Sequence, residues 1–167
     1  MDPQNKNTDS ELMLTDSELL LIDYNKVKDN DPDLRELRLY NYDINSTAAI
    51  FIFKALTKNN VVDYVDLDSN QICDKAAPSI SYALENNKII KIIDLDNNKI
   101  TNVGAKKIIE SLKHNTTLEQ LYLSNNKISN KFLQKIEILL ERNRYLRKKK
   151  KKWNLKIIQK NILQLMN

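Results

Sequence analysis

The feature that most constrains how this chain folds is an internal repeat of 28 residues. An apolar residue opens a similar phrase at Leu34, Val62, Ile90 and Leu118. The four phrases read LRELRLYNYDI, VDYVDLDSNQI, IKIIDLDNNKI and LEQLYLSNNKI. Each fits the pattern L-x-x-L-x-L-x-x-N-x-I, except that Tyr42 stands at the asparagine position of the first phrase. Four phrases in phase indicate four copies of one structural unit, and stacked units of this kind bury a continuous core.

The second half of each unit repeats as well. Three columns keep their residue type in all four units: Ile52, Ile80, Ile108 and Ile136; Leu56, Leu84, Leu112 and Leu140; and Asn59, Asn87, Asn115 and Asn143. The isoleucine and leucine columns lie four residues apart, which places them on one face of a helix. In the opening phrase, two apolar positions lie two residues apart, as on one face of a strand. A strand followed by a helix in every unit predicts an α/β fold with parallel strands and right-handed crossovers.

The asparagine of the opening phrase has a structural explanation. We expect Asn70, Asn98 and Asn126 to turn inward, where their amides can bond backbone groups left unpaired as each strand ends. These asparagines are therefore predicted to have a structural role.

Both ends of the repeat array are predicted to be caps, which cover the outermost apolar faces of a solenoid. Residues 1–33 form an N-terminal segment and helical cap, with Thr15 and Glu18 as a capping box. Residues 34–145 hold the four repeats, and residues 146–167 form a basic C-terminal cap helix. Leu146 is in phase to open a fifth unit, but charged residues follow it. We expect Trp153 to anchor this cap helix against Phe132 or Leu140.

The third unit, IIDLDNNKITNVGAKKIIESLKHNTTL, resembles the ribonuclease-inhibitor class of leucine-rich repeats. This resemblance covers roughly residues 34–145. It implies a right-handed solenoid forming a short horseshoe arc, with parallel strands on the concave face and helices on the convex face. It also implies a role in binding other proteins.

A narrower resemblance concerns VKDNDPDLRELRL at Val27–Leu39 and ALTKNN at Ala55–Asn60. These segments resemble the C-terminal repeat domain of tropomodulin, which implies a regulator of actin filament pointed ends. The phrase at Asn41–Ile44 departs from that family's pattern, and its closing helix has no recognisable counterpart in residues 153–167.

The outward positions of the strands form the candidate binding face. In a strand, side chains alternate between the two faces, so the residues between the apolar positions point away from the core. The predicted partner-binding residues are Arg38, Tyr40, Tyr64, Asp66, Asp68, Ile92, Asp94, Asp96 and Tyr122. Like charges opposite each other on neighbouring strands are destabilising, so the four aspartates suggest a surface for a basic protein partner. The alternative is that these positions are merely polar and solvated.

The net charge of +5 is unevenly distributed. Residues 142–167 contain ten Lys and Arg and no acidic residue, so residues 1–141 carry 17 basic and 22 acidic side chains, a net of −5. The basic patch comprises Arg147, Lys148, Lys149, Lys150, Lys151 and Lys152. Such a run can act as a nuclear localisation signal or bind nucleic acid or an anionic membrane. The alternative is a solvated cap that ends the array.

Composition argues against catalysis. The chain has one histidine, one cysteine and one glycine, which excludes a His/Cys zinc cluster and a glycine-rich phosphate loop. We therefore predict a non-enzymatic protein-interaction module without cofactor or metal. Its single cysteine favours the cytoplasm, with the nucleus as an alternative through the basic patch. A tropomodulin-like actin regulator is the second interpretation, with actin less favoured than an unspecified basic protein. An adaptor that binds nucleic acid or anionic membrane through its tail is the third.

Overall fold

The computed structural model describes the backbone of residues 16–165 and the side chains of Leu20, Leu21 and residues 23–157. Strands and helices alternate along it. The elements are α1 (Asp16–Asp29), β1 (Glu36–Arg38), α2 (Ser46–Lys58), β2 (Tyr64–Asp66), α3 (Ala77–Asn86), β3 (Ile92–Asp94), α4 (Asn102–His114), β4 (Gln120–Tyr122) and α5 (Asn130–Leu165).

The four strands form one parallel sheet in the order β1-β2-β3-β4. Each strand pairs with the next in the register that the repeat predicts, so that Leu37, Val65, Ile93 and Leu121 are partners across the sheet. Each helix packs against the next one along the chain. The predicted α/β leucine-rich-repeat solenoid is confirmed.

The core runs the length of the solenoid between the sheet and the helices. The apolar columns of the repeat form most of this core. The buried residues of these columns are Leu37, Val65 and Ile93 from the strands, and Ile52, Ile80, Ile108, Ile136, Leu56, Leu84, Leu112 and Leu140 from the helices. One unit alone could not bury its apolar face, so each unit depends on its neighbours for stability.

The inward asparagines satisfy the backbone where each strand ends. The side-chain oxygen of Asn70 accepts a hydrogen bond from the Ile44 amide at 2.8 Å, and its amide nitrogen donates to the carbonyls of Leu39 and Leu67. Asn98 and Asn126 make the equivalent bonds one and two units further along. Because each asparagine bonds its own unit and the preceding one, this ladder fixes the register between units.

A second asparagine ladder lies at the ends of the helices. Asn87 follows the last residue of α3; its side-chain oxygen accepts from the Ile89 and Ile90 amides, and its amide nitrogen donates to the Leu56 carbonyl at 2.7 Å. Asn115 does the same at the end of α4, where its amide reaches the Leu84 carbonyl. Each asparagine therefore starts the next strand and caps the helix of the preceding unit.

A third column adopts left-handed backbone geometry. Asn41, Ser69, Asn97 and Asn125 have φ values of 57°, 56°, 51° and 55°. Asparagine tolerates this region better than most residues. The left-handed turn after each strand therefore explains why an asparagine also precedes the inward asparagine, as Asn97 precedes Asn98 and Asn125 precedes Asn126.

The last helix does not end where the repeat predicts. Asn143 occupies the phase of the helix-ending asparagines, yet α5 continues from Asn130 to Leu165. In earlier units β-branched residues follow that asparagine, as at Val61 and Val62, and favour a strand. After Asn143 come arginine, leucine and lysine residues, which favour helix. The expected division between residues 145 and 146 falls inside this one helix.

The continuous helix also changes the position of Trp153. We expected its indole to pack against Phe132 or Leu140, but Trp153 lies on the same helix and is 65% exposed. Two side chains 21 and 13 residues away on one straight helix are about 30 and 20 Å distant along its axis. Trp153 therefore does not anchor α5 to the solenoid.

At the other end, α1 confirms a helix before the first repeat, with Val27 buried against the core. Thr15 of the predicted capping box lies outside the described residues. None of the helices in the described part of the chain is both long enough and apolar enough to span a membrane.

Candidate functional site

The sheet brings the predicted partner-binding residues together on the outward face of the strands, here called the concave face. Arg38, Asp66, Asp94 and Tyr122 are partners across the sheet, as are Tyr64 and Ile92. Asp66, Asp68, Asp94, Asp96, Tyr64 and Ile92 are half-buried, whereas Arg38, Tyr40 and Tyr122 are exposed. The acidic residues thus lie in the centre and the exposed aromatic and arginine side chains lie at the two ends.

Oδ1 of each of the four aspartates accepts a hydrogen bond within the fold. Oδ1 of Asp66 accepts from the Asp68 amide at 3.1 Å, and Oδ1 of Asp94 accepts from the Asp96 amide at 2.9 Å. Oδ1 of Asp68 accepts from the side chain of Asn97, and Oδ1 of Asp96 accepts from the Ser124 amide. These bonds close the turns after β2 and β3. The aspartates are therefore structural as well as charged. Among the described side chains, Oδ2 of Asp66 accepts from the Tyr64 hydroxyl, and the Oδ2 atoms of Asp68, Asp94 and Asp96 accept no hydrogen bond.

Burial and mutual repulsion act on the charges of this face. The pKa of Asp94 is raised, first by burial and then by the neighbouring carboxylates of Asp96, Asp66 and Asp68, despite the hydrogen bond from the Asp96 amide. The pKa of Tyr64 is raised as well, by burial and by Asp66 and Asp94. No described lysine or arginine forms an ion pair with these four aspartates, so the centre of the face carries an excess of negative charge.

Arg38 lies beside this acidic centre. Its guanidinium forms an ion pair with Glu36 at 2.5 Å and lies 5.1 Å from the centroid of the Tyr64 ring. The Tyr64 hydroxyl is 3.5 Å from Oδ2 of Asp66. The arginine thus lies over the tyrosine ring, and its ion pair is with Glu36 and not with one of the four aspartates.

The described side chains contain no group of three or more His, Cys, Asp or Glu residues that could hold a metal ion. This holds for the aspartates of the concave face as well. Their Oδ1 atoms already accept hydrogen bonds, from a backbone amide in Asp66, Asp94 and Asp96 and from the Asn97 side chain in Asp68.

The basic patch lies on the exposed part of α5. Side chains from Tyr145 to Ile157 are all exposed, so this part of the helix extends beyond the packed solenoid. Arg147 forms an ion pair with Glu119. Among the described side chains, Arg147 is the only residue of the basic patch that has a carboxylate partner. The sequence identified the patch but not what lies next to it.

A cavity of about 450 Å³ lies where α5 leaves the solenoid. Its walls include Lys88, Lys91, Thr117, Leu146, Arg147 and Lys150. Sequence reasoning missed this site because Lys88 and Lys91 are far from the basic patch along the chain. Both lysines lie in the loop between α3 and β3, where the second unit passes into the third, and no local pattern relates this loop to α5.

The chain is similar to known leucine-rich-repeat domains. The family model described as "TMOD/LMOD Leucine-rich domain" matches residues 18–166. That match includes residues 153–166, for which we expected no family counterpart, so this expectation was wrong. A search of curated proteins gave no significant match.

The solved structures that share the fold include one domain from leiomodin and one from tropomodulin. One is titled "Leiomodin-1 Actin-Binding Site 2 (ABS2)"; it is 23% identical with a TM-score of 0.70, and the match covers 82% of this chain and 96% of that one. The other is a tropomodulin C-terminal domain from Caenorhabditis elegans, 15% identical with a TM-score of 0.56, covering 81% of this chain and 98% of that one.

Proposed function

This chain belongs to the TMOD/LMOD leucine-rich domain family, and on that basis we propose that it binds actin and regulates filament pointed ends. The single observation that carries the proposal is the family match over residues 18–166. The fold shared with a domain whose title names an actin-binding site supports it. A binding role, and not a catalytic one, is what this family membership favours.

This proposal changes the ranking of the candidate binding partners that were predicted from the sequence. There, actin ranked below an unspecified basic protein, because the tropomodulin resemblance covered two short segments. The family match now extends over most of the chain, so actin becomes the first candidate. The cytoplasmic location predicted from the single cysteine is kept as part of this proposal.

The concave face is the surface we assign to the contact. No described lysine or arginine forms an ion pair with the aspartates of its centre, and the exposed rings of Tyr40 and Tyr122 offer apolar contact at the two ends. Tyrosine and arginine are common at the centres of protein interfaces. A carboxylate that is half-buried before binding loses less solvation when a partner covers it, which favours a charge-assisted hydrogen bond.

The test measures elongation at the pointed ends of actin filaments whose barbed ends are blocked. We expect the full chain to slow elongation in proportion to its concentration. Unchanged elongation, together with no cosedimentation with filaments, would contradict the proposal.

A matched pair of variants then locates the contact. The first replaces Asp66, Asp68, Asp94 and Asp96 with asparagine, which keeps the Oδ1 acceptors that close the turns. The control replaces four exposed acidic residues elsewhere with amides: Asp29, Glu85, Glu110 and Glu141. Both variants change the net charge equally. We expect only the first to lose actin binding; equal loss in both would mean that general charge, and not the concave face, is responsible.

A further inference from the structure

We propose that the base and exposed part of α5 form a docking surface for membranes that contain anionic phospholipids. The surface consists of the cavity wall contributed by Leu146, Arg147 and Lys150 and the same helix face continued to Trp153 and Ile157. This inference is independent of actin binding, since it uses neither the concave face nor an actin contact.

The first argument is the charge of the cavity. Lys88, Lys91, Arg147 and Lys150 contribute four cations to its walls. Asp63 pairs with Lys91 at 2.7 Å, and Glu119, which also lines the cavity, pairs with Arg147. Lys88 and Lys150 have no carboxylate partner among the described side chains. The cavity therefore keeps an excess of positive charge, and the Thr117 side chain adds a hydroxyl donor, so phosphate oxygens fit its lining.

The second argument is that the cavity opens onto an exposed apolar stripe. At 100° per residue, Trp153 and Ile157 lie within about 20° of Leu146 around the helix axis. Leu146, Trp153 and Ile157 are 41%, 65% and 43% exposed. Lys150 lies next to this stripe, and no acidic residue occurs in the sequence after Glu141. The face thus combines aliphatic groups, one indole and lysines.

This combination favours a bilayer over other anionic partners. Tryptophan is enriched at the membrane interface, and lysines keep their ammonium groups among the headgroups while their stems lie along apolar surface. A helix that presents apolar and cationic groups on one side binds the interface of anionic membranes. Nucleic acid offers phosphates and base rings but little aliphatic surface for Leu146 and Ile157. The acidic body, with a net charge of −5 over residues 1–141, would be repelled by either partner, so contact is confined to α5 and its base.

The test is cosedimentation of the full chain with two kinds of vesicle, phosphatidylcholine alone and phosphatidylcholine mixed with phosphatidylserine. We expect binding to the mixed vesicles only, weakened by added salt. The single tryptophan reports insertion, since its fluorescence should shift to shorter wavelength with the mixed vesicles. Sedimentation without this shift would overturn the assignment of the Trp153 face, and absence of binding to the mixed vesicles would overturn the whole proposal.

Two matched variants test which side of the helix is used. Lys150→Gln with Trp153→Gln alters the proposed face, and Lys148→Gln with Leu155→Gln alters the opposite face by the same change in charge. All four side chains are exposed, so both variants should fold. We expect the first to bind mixed vesicles at least about tenfold more weakly, because each lysine near an anionic surface contributes about a fivefold factor and the indole adds its own burial. Equal weakening in both variants, or binding of an RNA oligonucleotide in preference to the mixed vesicles, would overturn the proposal.

Discussion

The guanidinium of Arg142 donates a hydrogen bond to the Leu112 carbonyl, 2.8 Å away, at the C-terminal end of α4. The same side chain reaches the carbonyls of Lys113 at 3.0 Å and Asn115 at 2.6 Å. In the two preceding units, the helix-ending leucine carbonyl is bonded by the repeating asparagine amide. Here Asn143 lies inside a helix and donates to the Leu118 carbonyl instead. Arg142 therefore replaces the missing asparagine cap.

We expect Arg142→Ala to lower the free energy of unfolding by about 2 kcal/mol, because hydrogen bonds to charged groups contribute more than neutral ones and three carbonyls would lose their donor. Urea denaturation of the full chain measures this. Lys135→Ala, at an exposed position of the same helix, is the control and should change stability little. Equal losses in the two variants would show that the Arg142 bonds contribute nothing measurable.

The only glycine of the chain lies against a carboxylate from the neighbouring unit. Oδ1 of Asp74 accepts from the amides of Thr101 at 2.8 Å and Gly104 at 3.0 Å, and thereby caps the start of α4. A Cβ atom on Gly104 would lie 2.5 Å from that oxygen and 2.9 Å from Cγ2 of Ile100. The φ of Gly104 is not positive, so the backbone conformation does not require glycine. Glycine is needed because a side chain would collide with the neighbouring unit.

Gly104→Ala should therefore destabilise the protein by about 1–3 kcal/mol, as overpacking does, although the same change in an open helix stabilises by about 1 kcal/mol. The measurement is urea denaturation in the wild-type and Asp74→Ala backgrounds. We expect a smaller loss in the second background, where the carboxylate is absent. If the loss is equal in both, Ile100 and not Asp74 is the obstacle.

Ser69 is the one residue of the left-handed column that is not asparagine. Its φ of 56° is costly for serine and less costly for asparagine. Ser69→Asn should raise the free energy of unfolding by about 0.5 kcal/mol. Ser129→Asn, at a serine with no positive φ, is the control and should leave stability unchanged. A destabilised Ser69→Asn variant would mean that the hydrogen bond from the Ser69 hydroxyl to Asp68 matters more than the backbone geometry.

The repeat predicted most of this architecture because the same columns of residues indicate both the secondary structure of each unit and the side chains that pack in the shared core. A column that is apolar in every unit must face the shared core, which places the strand register and the concave face. The end of the array could not be predicted from the repeat, because Asn143 is in phase while the residues after it favour helix. Contacts between residues far apart in sequence could not be predicted either, since nothing in the local pattern relates Arg142 to Leu112, or Lys88 to Lys150.

Asp63 contributes stability that acid should remove. The hydrogen bond from Lys91 lowers its pKa, with Arg35 adding to the effect against a smaller opposing effect of burial. A carboxyl group whose pKa is lower in the folded state stabilises the fold above its unfolded pKa and loses this contribution as the pH falls through the folded one. We expect Asp63→Asn to cost roughly 1 kcal/mol at neutral pH, since both cations are partly exposed. The difference from wild type should vanish in acid; a difference that persists there would be due to lost hydrogen bonding and not charge.

Asp94 should show the opposite dependence. Burial and the neighbouring carboxylates raise its pKa, so the folded state favours the protonated form. The stability that this group contributes is then present at low pH and is lost as the pH rises through the folded pKa.

Asp94→Asn keeps the acceptor for the Asp96 amide but carries no charge, so at neutral pH it should be more stable than wild type by up to about 1 kcal/mol. The gain should shrink as the pH falls through the raised folded pKa and should be gone below the ordinary aspartate range, which urea denaturation across the acid range would measure. Asp94→Ala loses the acceptor as well and separates the two effects. A less stable Asp94→Asn variant at neutral pH would show that cations or water already compensate the carboxylate, and would weaken the case for a cationic partner at the concave face.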